Sequence, residues 1–311
     1  MSQITIGKRE VPWLGIGTSG HWGSSAEALE ASKLDFNVRQ EQLFWNRDDG
    51  GNIVYAEQAP MFGNVRNTDD RLLGCVTPQY KIIQNRDAFS LIDPFISGGN
   101  GTITHAGMSE DGLCFMVAEV ATRLIGGEDY LINLMVTNSF NAKYPCQIIM
   151  TPVRIICQNM YRKLIPDRIF LAKHTITAND RLMQIANSGA LNKKILMFEN
   201  IVESAQAKTI SSARLKELIA MLFPYPKEKG PRELAYKARA DENRQLFEDM
   251  FYDAGDNIVH HGSAFGLINA YFDYLSHRGA VRSYASWEDR RLAGIVTGND
   301  VNTHVIKEAL K

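Results

Sequence analysis

Between positions 143 and 179 the chain carries Lys143, Arg154, Arg162, Lys163, Arg168 and Lys173, with Asp167 as the only acid and Tyr144 and Tyr161 interleaved. Cations spaced along a surface neutralise the phosphates of a nucleic acid, and an aromatic face stacks on a base for roughly 1–3 kcal/mol. A solvated basic face is the plain alternative, and the residues alone leave the two level. Asn138, Ser139, Asn141, Gln158 and Asn159 flank the set. Amides at strand ends satisfy turn backbone groups or touch phosphate, sugar and base edges. Asn159 is the amide of this group that is counted among the candidate contacts.

The net charge of −1 conceals a strong asymmetry. Residues 1–142 hold ten Lys and Arg against seventeen Asp and Glu, 143–216 hold twelve against four, and 217–311 hold twelve against fourteen. Such clustering points toward a polyanionic partner, although a chain near neutrality is no strong non-specific binder. Other chemistry finds less support. Gly15-Ile16-Gly17-Thr18-Ser19-Gly20 matches the spacing of a dinucleotide-binding turn, but no buried strand precedes it and Pro12 interrupts the approach, so a loop is expected. The pairs Asp256/His260 and Asp273/His277 and the doublet His260-His261 each offer too few ligands for a metal, and capping or surface roles are expected. Nucleophile-elbow, phosphate-loop and His-Glu-x-x-His motifs do not occur. No catalytic residue, metal or cofactor is therefore expected.

Cys75, Cys114, Cys146 and Cys157 are scattered without a Cys-x-x-Cys pair, which suggests buried thiols in a reducing cytoplasm. The chain has no run of eighteen apolar residues and no secretory stretch near its start, so neither a membrane span nor export is expected.

The elements that must position the basic set follow from turn residues and periodicity. A capped helix is expected after Ser24-Ser25. Strands are expected over Phe36–Val38, Gln42–Trp45 and Asn52–Gln58, the last two joined by Asp48-Asp49-Gly50-Gly51, and then a polar loop over Pro60–Asp70. Leu72–Val76 and Tyr80–Gln84 look strand-like, and Asn85 caps a helix that runs toward Ile96 before Gly98-Gly99-Asn100-Gly101. Thr102–Met108, Leu113–Thr122, Tyr130–Ser139 and Cys146–Ile156 form an antiparallel meander, and Gln158–Ile165 starts a short helix. Helical spacing fills 180–223, 232–252, 256–278 and 300–310, with an exposed linker over 227–231. The expected fold is α+β: an antiparallel β meander with packed helices, followed by a mainly helical C-terminal region. Three segments result: 1–70 as a hairpin and loop region, 71–179 as the sheet core with its basic helix, and 180–311 as the helical region.

Several stretches resemble a phage/plasmid-like family of unknown function found in mobile elements. They include Val11-Pro12-Trp13-Leu14-Gly15-Ile16-Gly17, the run from Leu73 to Asn85, Val153-Arg154-Ile155-Ile156-Cys157-Gln158-Asn159, the run from Asn269 to Arg278, and Ile306-Lys307-Glu308-Ala309-Leu310. That resemblance brings a setting but no activity. The order of elements is also similar to the core of single-strand annealing proteins of the Red-beta and Erf kind. In that likeness Asn85–Ile96 is the first helix, Thr102–Ile156 the meander and Gln158–Ile165 the start of the basic helix. It implies rings or filaments that hold single-stranded DNA in a basic groove.

Together these features support a non-catalytic, cytoplasmic, homo-oligomeric protein that binds and anneals single-stranded DNA in replication or recombination of a phage or plasmid. Its expected contacts are Lys143, Tyr144, Arg154, Asn159, Tyr161, Arg162, Lys163, Arg168 and Lys173. The alternative is a phage regulatory module that binds a host protein, suggested by the acidic first segment and by Tyr271, Phe272 and Tyr274. An enzyme assembled from Asp87, His105, Asp256 and His260 is the third reading.

Overall fold

The computed structural model describes residues 11–48, 53–97, 101–161, 163–165, 168–174, 188–225, 230, 232–253, 260, 262–278, 287–297 and 301–311. The fold is α+β, with the antiparallel meander first and helices mainly in the second half. The strands are β1 (Thr18–Trp22), β2 (Val38–Asp48), β3 (Ile53–Arg66), β4 (Leu72–Val76), β5 (Thr102–Met108), β6 (Leu113–Ile125), β7 (Glu128–Ser139), β8 (Cys146–Arg154), β9 (Asn159–Met160) and β10 (Arg168–Ala172). The helices are α1 (Ser25–Ala31), α2 (Asn85–Phe89), α3 (Asp93–Ile96), α4 (Ser188–Ala207), α5 (Ser212–Leu222), α6 (Glu233–Asp253), α7 (Ala264–Asp273), α8 (Trp287–Thr297) and α9 (Thr303–Leu310).

The main sheet runs β1-β5-β6-β7-β8-β10, with β9 added on β8, and all its pairs are antiparallel. Cys114, Met116, Ile132, Leu134, Ile148 and Met150 face a core that α4 to α7 and α9 complete. Leu113, Phe115, Met135 and Ile149 face a second core closed by Trp13 and by Leu292, Ile295 and Val296 of α8. Cover on both faces is why β8 is buried at every position and reads as an almost continuous apolar run. The larger core spans Ala28 to Ala309, so all three segments separated by composition contribute to it.

The sequence places strand ends at Thr122 and Tyr130, yet β6 and β7 pair as far as Ile125 and Glu128. Gly126 and Gly127 both have positive φ (57° and 84°), the geometry of a two-residue turn whose twist matches the strands. Polar amides at the sheet end satisfy backbone groups: Asn138 Nδ2 donates to the Ile83 carbonyl at 2.9 Å, and Asn64 Nδ2 to the Phe140 carbonyl at 2.7 Å. The Asn64 bond ties the small sheet, ordered β2-β3-β4, to the end of the large one.

Several expectations are corrected. Pro60 lies inside β3, which continues to Arg66 instead of becoming a loop. The register shifts between Gln42 and Phe44, and the Gln42 side-chain amide donates to the Ala59 carbonyl at 2.6 Å, so a bulge absorbs the proline where β4 does not reach. Tyr80–Gln84 forms no strand; the Gln84 amide replaces a ladder pair by bonding both the N–H and the carbonyl of Val38 (3.0 and 2.8 Å). No helix spans the described part of Gln158–Ile165, because Gln158 and Lys163 have φ of 57° and 59° and Asn159–Met160 pairs with β8. The glycine motif is not a loop throughout: β1 begins within it at Thr18, and Gly17, at φ 81°, packs against the Ala106 carbonyl. β1 takes up the second half of the motif and α1 starts only at Ser25, so no helix opens at Gly20 as a dinucleotide site requires.

Additional strands and a helix are present at β1, β10 and α8, and the 180–223 helix divides into α4 and α5 at the Ser211 cap. The Asp49-Gly50-Gly51 part of the hairpin turn, Gly98-Gly99-Asn100, 180–187, most of the 227–231 linker, Asp256 and His261 lie outside the described residues. Among the described residues no helix is long and apolar enough to cross a membrane.

Candidate nucleic-acid interface

Lys143, Tyr144, Arg168 and Lys173, four of the nine expected contacts, line one cleft of about 400 Å3 together with Pro145, Leu171, Tyr80 and His174. The cleft forms where the β7–β8 turn meets edge strand β10. Asn141 shapes the turn: its Oδ1 accepts from Lys143 N at 3.1 Å, its Nδ2 donates to the Asp111 carbonyl at 2.7 Å, and Ala142 takes φ 62°. Lys143 stands 58% exposed, with Nζ 2.9 Å from Asp111 Oδ1. Tyr144 donates its hydroxyl to the same carboxylate and is buried, so its ring forms wall and not platform.

Arg168 is half-buried at the start of β10, and its Nε donates to Gln147 Oε1 at 2.8 Å. Gln147 in turn donates to the Val296 carbonyl at 3.0 Å, which anchors the guanidinium to α8. A guanidinium held through Nε keeps its planar outer edge for an anion. Lys173 follows β10 and is exposed.

The floor is an aromatic pair. Tyr80 and His174 stack with ring centres 4.7 Å apart and planes 8° from parallel. Tyr80 donates to the Ser139 carbonyl at 2.7 Å, and His174 Nδ1 lies 3.2 Å from the Lys81 carbonyl. Burial pulls the His174 pKa down to about 4, against a smaller opposing pull from that carbonyl, so the ring is neutral at pH 7. Burial pushes the Tyr80 phenol well above its ordinary range.

The remaining expected contacts do not join this cleft. Arg154 lies at the far end of β8, eight residues from Cys146 and roughly 26 Å away. It is 1% exposed and ion-paired to Glu128, whose Oε1 is also 3.0 Å from His260 Nε2. Burial raises the Glu128 pKa, but His260 and Arg154 together outweigh it and hold the carboxyl below its ordinary value. Tyr161 is fully buried among Tyr130, Phe198, Phe265 and Phe272, and its hydroxyl donates to Asn269 Oδ1 at 2.5 Å. Asn159, also fully buried, donates to the same oxygen at 2.9 Å.

Arg154, Asn159 and Tyr161 are therefore core residues and present no surface to a nucleic acid, a correction to the sequence reading. Tyr144 is corrected in part, as wall and not stacking face. Lys163 is half-buried away from the cleft lining, and Arg162 lies outside the described residues.

Sequence reasoning missed Tyr80, His174 and Gln147. The only available signal was the run Thr77-Pro78-Gln79-Tyr80, which breaks the strand and presents the tyrosine. A second cleft of about 530 Å3 lies across the Asn141–Lys143 ridge, between Arg71 and the Ser109–Gly112 turn. The metal-type candidates do not converge. Asp87 is on α2, His105 is buried on β5 beside Thr104, and among the described residues no three His, Cys, Asp or Glu side chains are placed to hold an ion. Cys114 and Cys146 are buried, which pushes both thiols up to about 12, whereas Cys75 is exposed.

Residues 72–295 match the family described as Domain of unknown function (DUF932). The chain belongs to this family. No curated protein and no solved structure matches it. The DUF932 region contains every residue of the cleft and leaves out the β2–β3 ribbon and α9.

Proposed function

We propose that this DUF932 chain is a non-catalytic single-stranded DNA-binding protein of a phage or plasmid, acting by annealing strands in replication or recombination. The observation that carries the proposal is the convergence of Lys143, Arg168 and Lys173 on one apolar-walled cleft floored by a Tyr–His stack. Phosphates bridge the cations at the rim, and a base packs against the apolar lining at Pro145 and Leu171. The three cations come from two elements, the β7–β8 turn and the β10 edge, so a flexible single strand follows them more readily than a stiff duplex. The homo-oligomeric, strand-pairing part of the proposal rests on the sequence likeness to annealing proteins in its helix-then-meander order alone, since the basic helix of that likeness does not form.

The test is binding of a fluorescent oligonucleotide across a salt series with duplex as competitor. Wild-type affinity is expected to fall steeply with salt and to favour the single strand. Arg168→Ala with Lys173→Ala should flatten the log–log slope by about 1.4, two phosphates at roughly 0.7 each. Arg154→Met with Glu128→Gln, being internal, should leave that slope unchanged. An unaltered slope in the cleft variant would remove the cleft from the function.

A further inference from the structure

The β2–β3 ribbon is built to be covered. β4 pairs with β3 only between Phe62 and Val65, so outward of Gln42 each strand has only the other as its partner. Along that stretch Phe44 is 61% exposed, Trp45 47% and Met61 37%. Phe44 and Trp45 are consecutive in a strand and so occupy opposite faces, and each of the two side chains is exposed. A two-stranded ribbon standing alone in water is marginal, and large apolar groups on its surface mark a contact site.

The chemistry of the ribbon selects its partner. Residues 42–61 carry Arg47 against Asp48, Asp49 and Glu57, and Trp45 Nε1 donates to Glu57 Oε2 at 3.2 Å. An acidic ribbon repels a phosphate backbone. Its complement exists on this same molecule: the cleft with apolar walls at Pro145 and Leu171 and a rim of Lys143, Arg168 and Lys173. In a single chain no residue of the ribbon lines that cleft, and Phe44 and Trp45 stay exposed.

We propose that the ribbon of one copy lays its Phe44 face in the Lys143–Arg168–Lys173 cleft of a second copy, with Trp45 on the opposite face of the same ribbon, and that it competes there with single-stranded nucleic acid. The competition rests on the function proposed above; the docking does not. Because ribbon and cleft are different surfaces, the contact is heterologous and propagates from copy to copy into a ring or filament. Nucleic acid would displace ribbons and fill the clefts they leave.

Mass measured by light scattering over a concentration and salt series tests the docking. Wild-type chain should self-associate in a salt-sensitive manner. Phe44→Ser with Trp45→Ser should weaken association ten-fold or more with an unchanged thermal melt, since both side chains are exposed. Arg168→Glu with Lys173→Glu should weaken it equally. Mixing the two double variants should restore a dimer and nothing larger, because each supplies the surface that the other lacks. A wild-type monomer at every concentration, an association indifferent to the ribbon substitutions, or a mixture that stays monomeric would overturn the inference. So would a monomer whose ribbon instead holds a stoichiometric host protein. An oligonucleotide titration of the ribbon variant separates the two proposals. Tighter binding than wild type supports both. Binding unchanged from a monomeric wild type leaves only the function standing. A ribbon-dependent oligomer that binds no strand leaves only the docking.

Discussion

Arg154→Ala is expected to destabilise the fold by about 3–5 kcal/mol, the cost of leaving a buried ion without its partner. Arg154 is 1% exposed, and the Glu128 carboxylate that it holds is 16% exposed. Deleting the cation removes one of the two groups that outweigh the burial of Glu128, so the Glu128 pKa rises. Urea unfolding at pH 7 should show the midpoint drop at an unchanged slope. Arg154→Met with Glu128→Gln removes both charges while keeping volume, and should recover most of the loss. The sign of the pH effect follows from Glu128. A carboxyl whose folded pKa lies below its unfolded value stabilises above the unfolded value and loses that contribution as pH falls through the folded one. The penalty of Arg154→Ala should therefore shrink in acid, where a protonated Glu128 needs no cation. A loss below 1 kcal/mol at neutral pH would show that this network is not packed as described.

The second large effect is acid sensitivity from two buried histidines. Burial lowers the pKa of both His174 and His105 to about 4, with the nearby His21 adding to the shift of His105. Between about 4 and 6.5 the unfolded chain binds protons at these rings that the folded chain does not. Stability therefore rises with pH through that window and falls as pH drops. For His174 the change from pH 7.5 to pH 5 is about 2 kcal/mol. His174→Phe keeps an aromatic ring against Tyr80 and removes the titration, so it should flatten the stability–pH curve across this window. A curve as steep as wild type would mean that His174 is solvated or protonated in the folded state.

These internal groups show how the sequence and the folded chain divide the site. The turn at Asn141-Ala142-Lys143 is legible in the sequence because an amide and two small or polar residues between apolar runs stop a strand by local chemistry. Lys143 and Tyr144 follow directly, so their position at a sheet end is legible too. Arg154 was not legible as a core residue. A single cation in an apolar run has no local signature of its partner, and Glu128 lies 26 residues away on the neighbouring strand. Tyr161 and Asn159 became internal through Asn269, 108 and 110 residues further along. Tyr80 and His174, 94 positions apart, met only because β10 folds back beside the Lys81 backbone.

Local patterns alone determined the α+β class, the order of the meander, the helical second half and the capped start of α1. Each depends on residues within a few positions: alternating or continuous apolar runs, turn residues and side-chain caps. Only the tertiary structure decided which cations face solvent. Helices cover the meander on both faces, and whether a basic side chain ends inside or outside depends on the distant element packed over it. A helix was expected after β8 because the stretch is basic and apolar in mixture. The chain turned instead at Gln158 and Lys163, through two left-handed residues, and gave Asn159 and Met160 to the sheet. Side-chain burial is set by contacts far apart in sequence, which is why composition located the basic segment and only the folded chain separated its surface from its core.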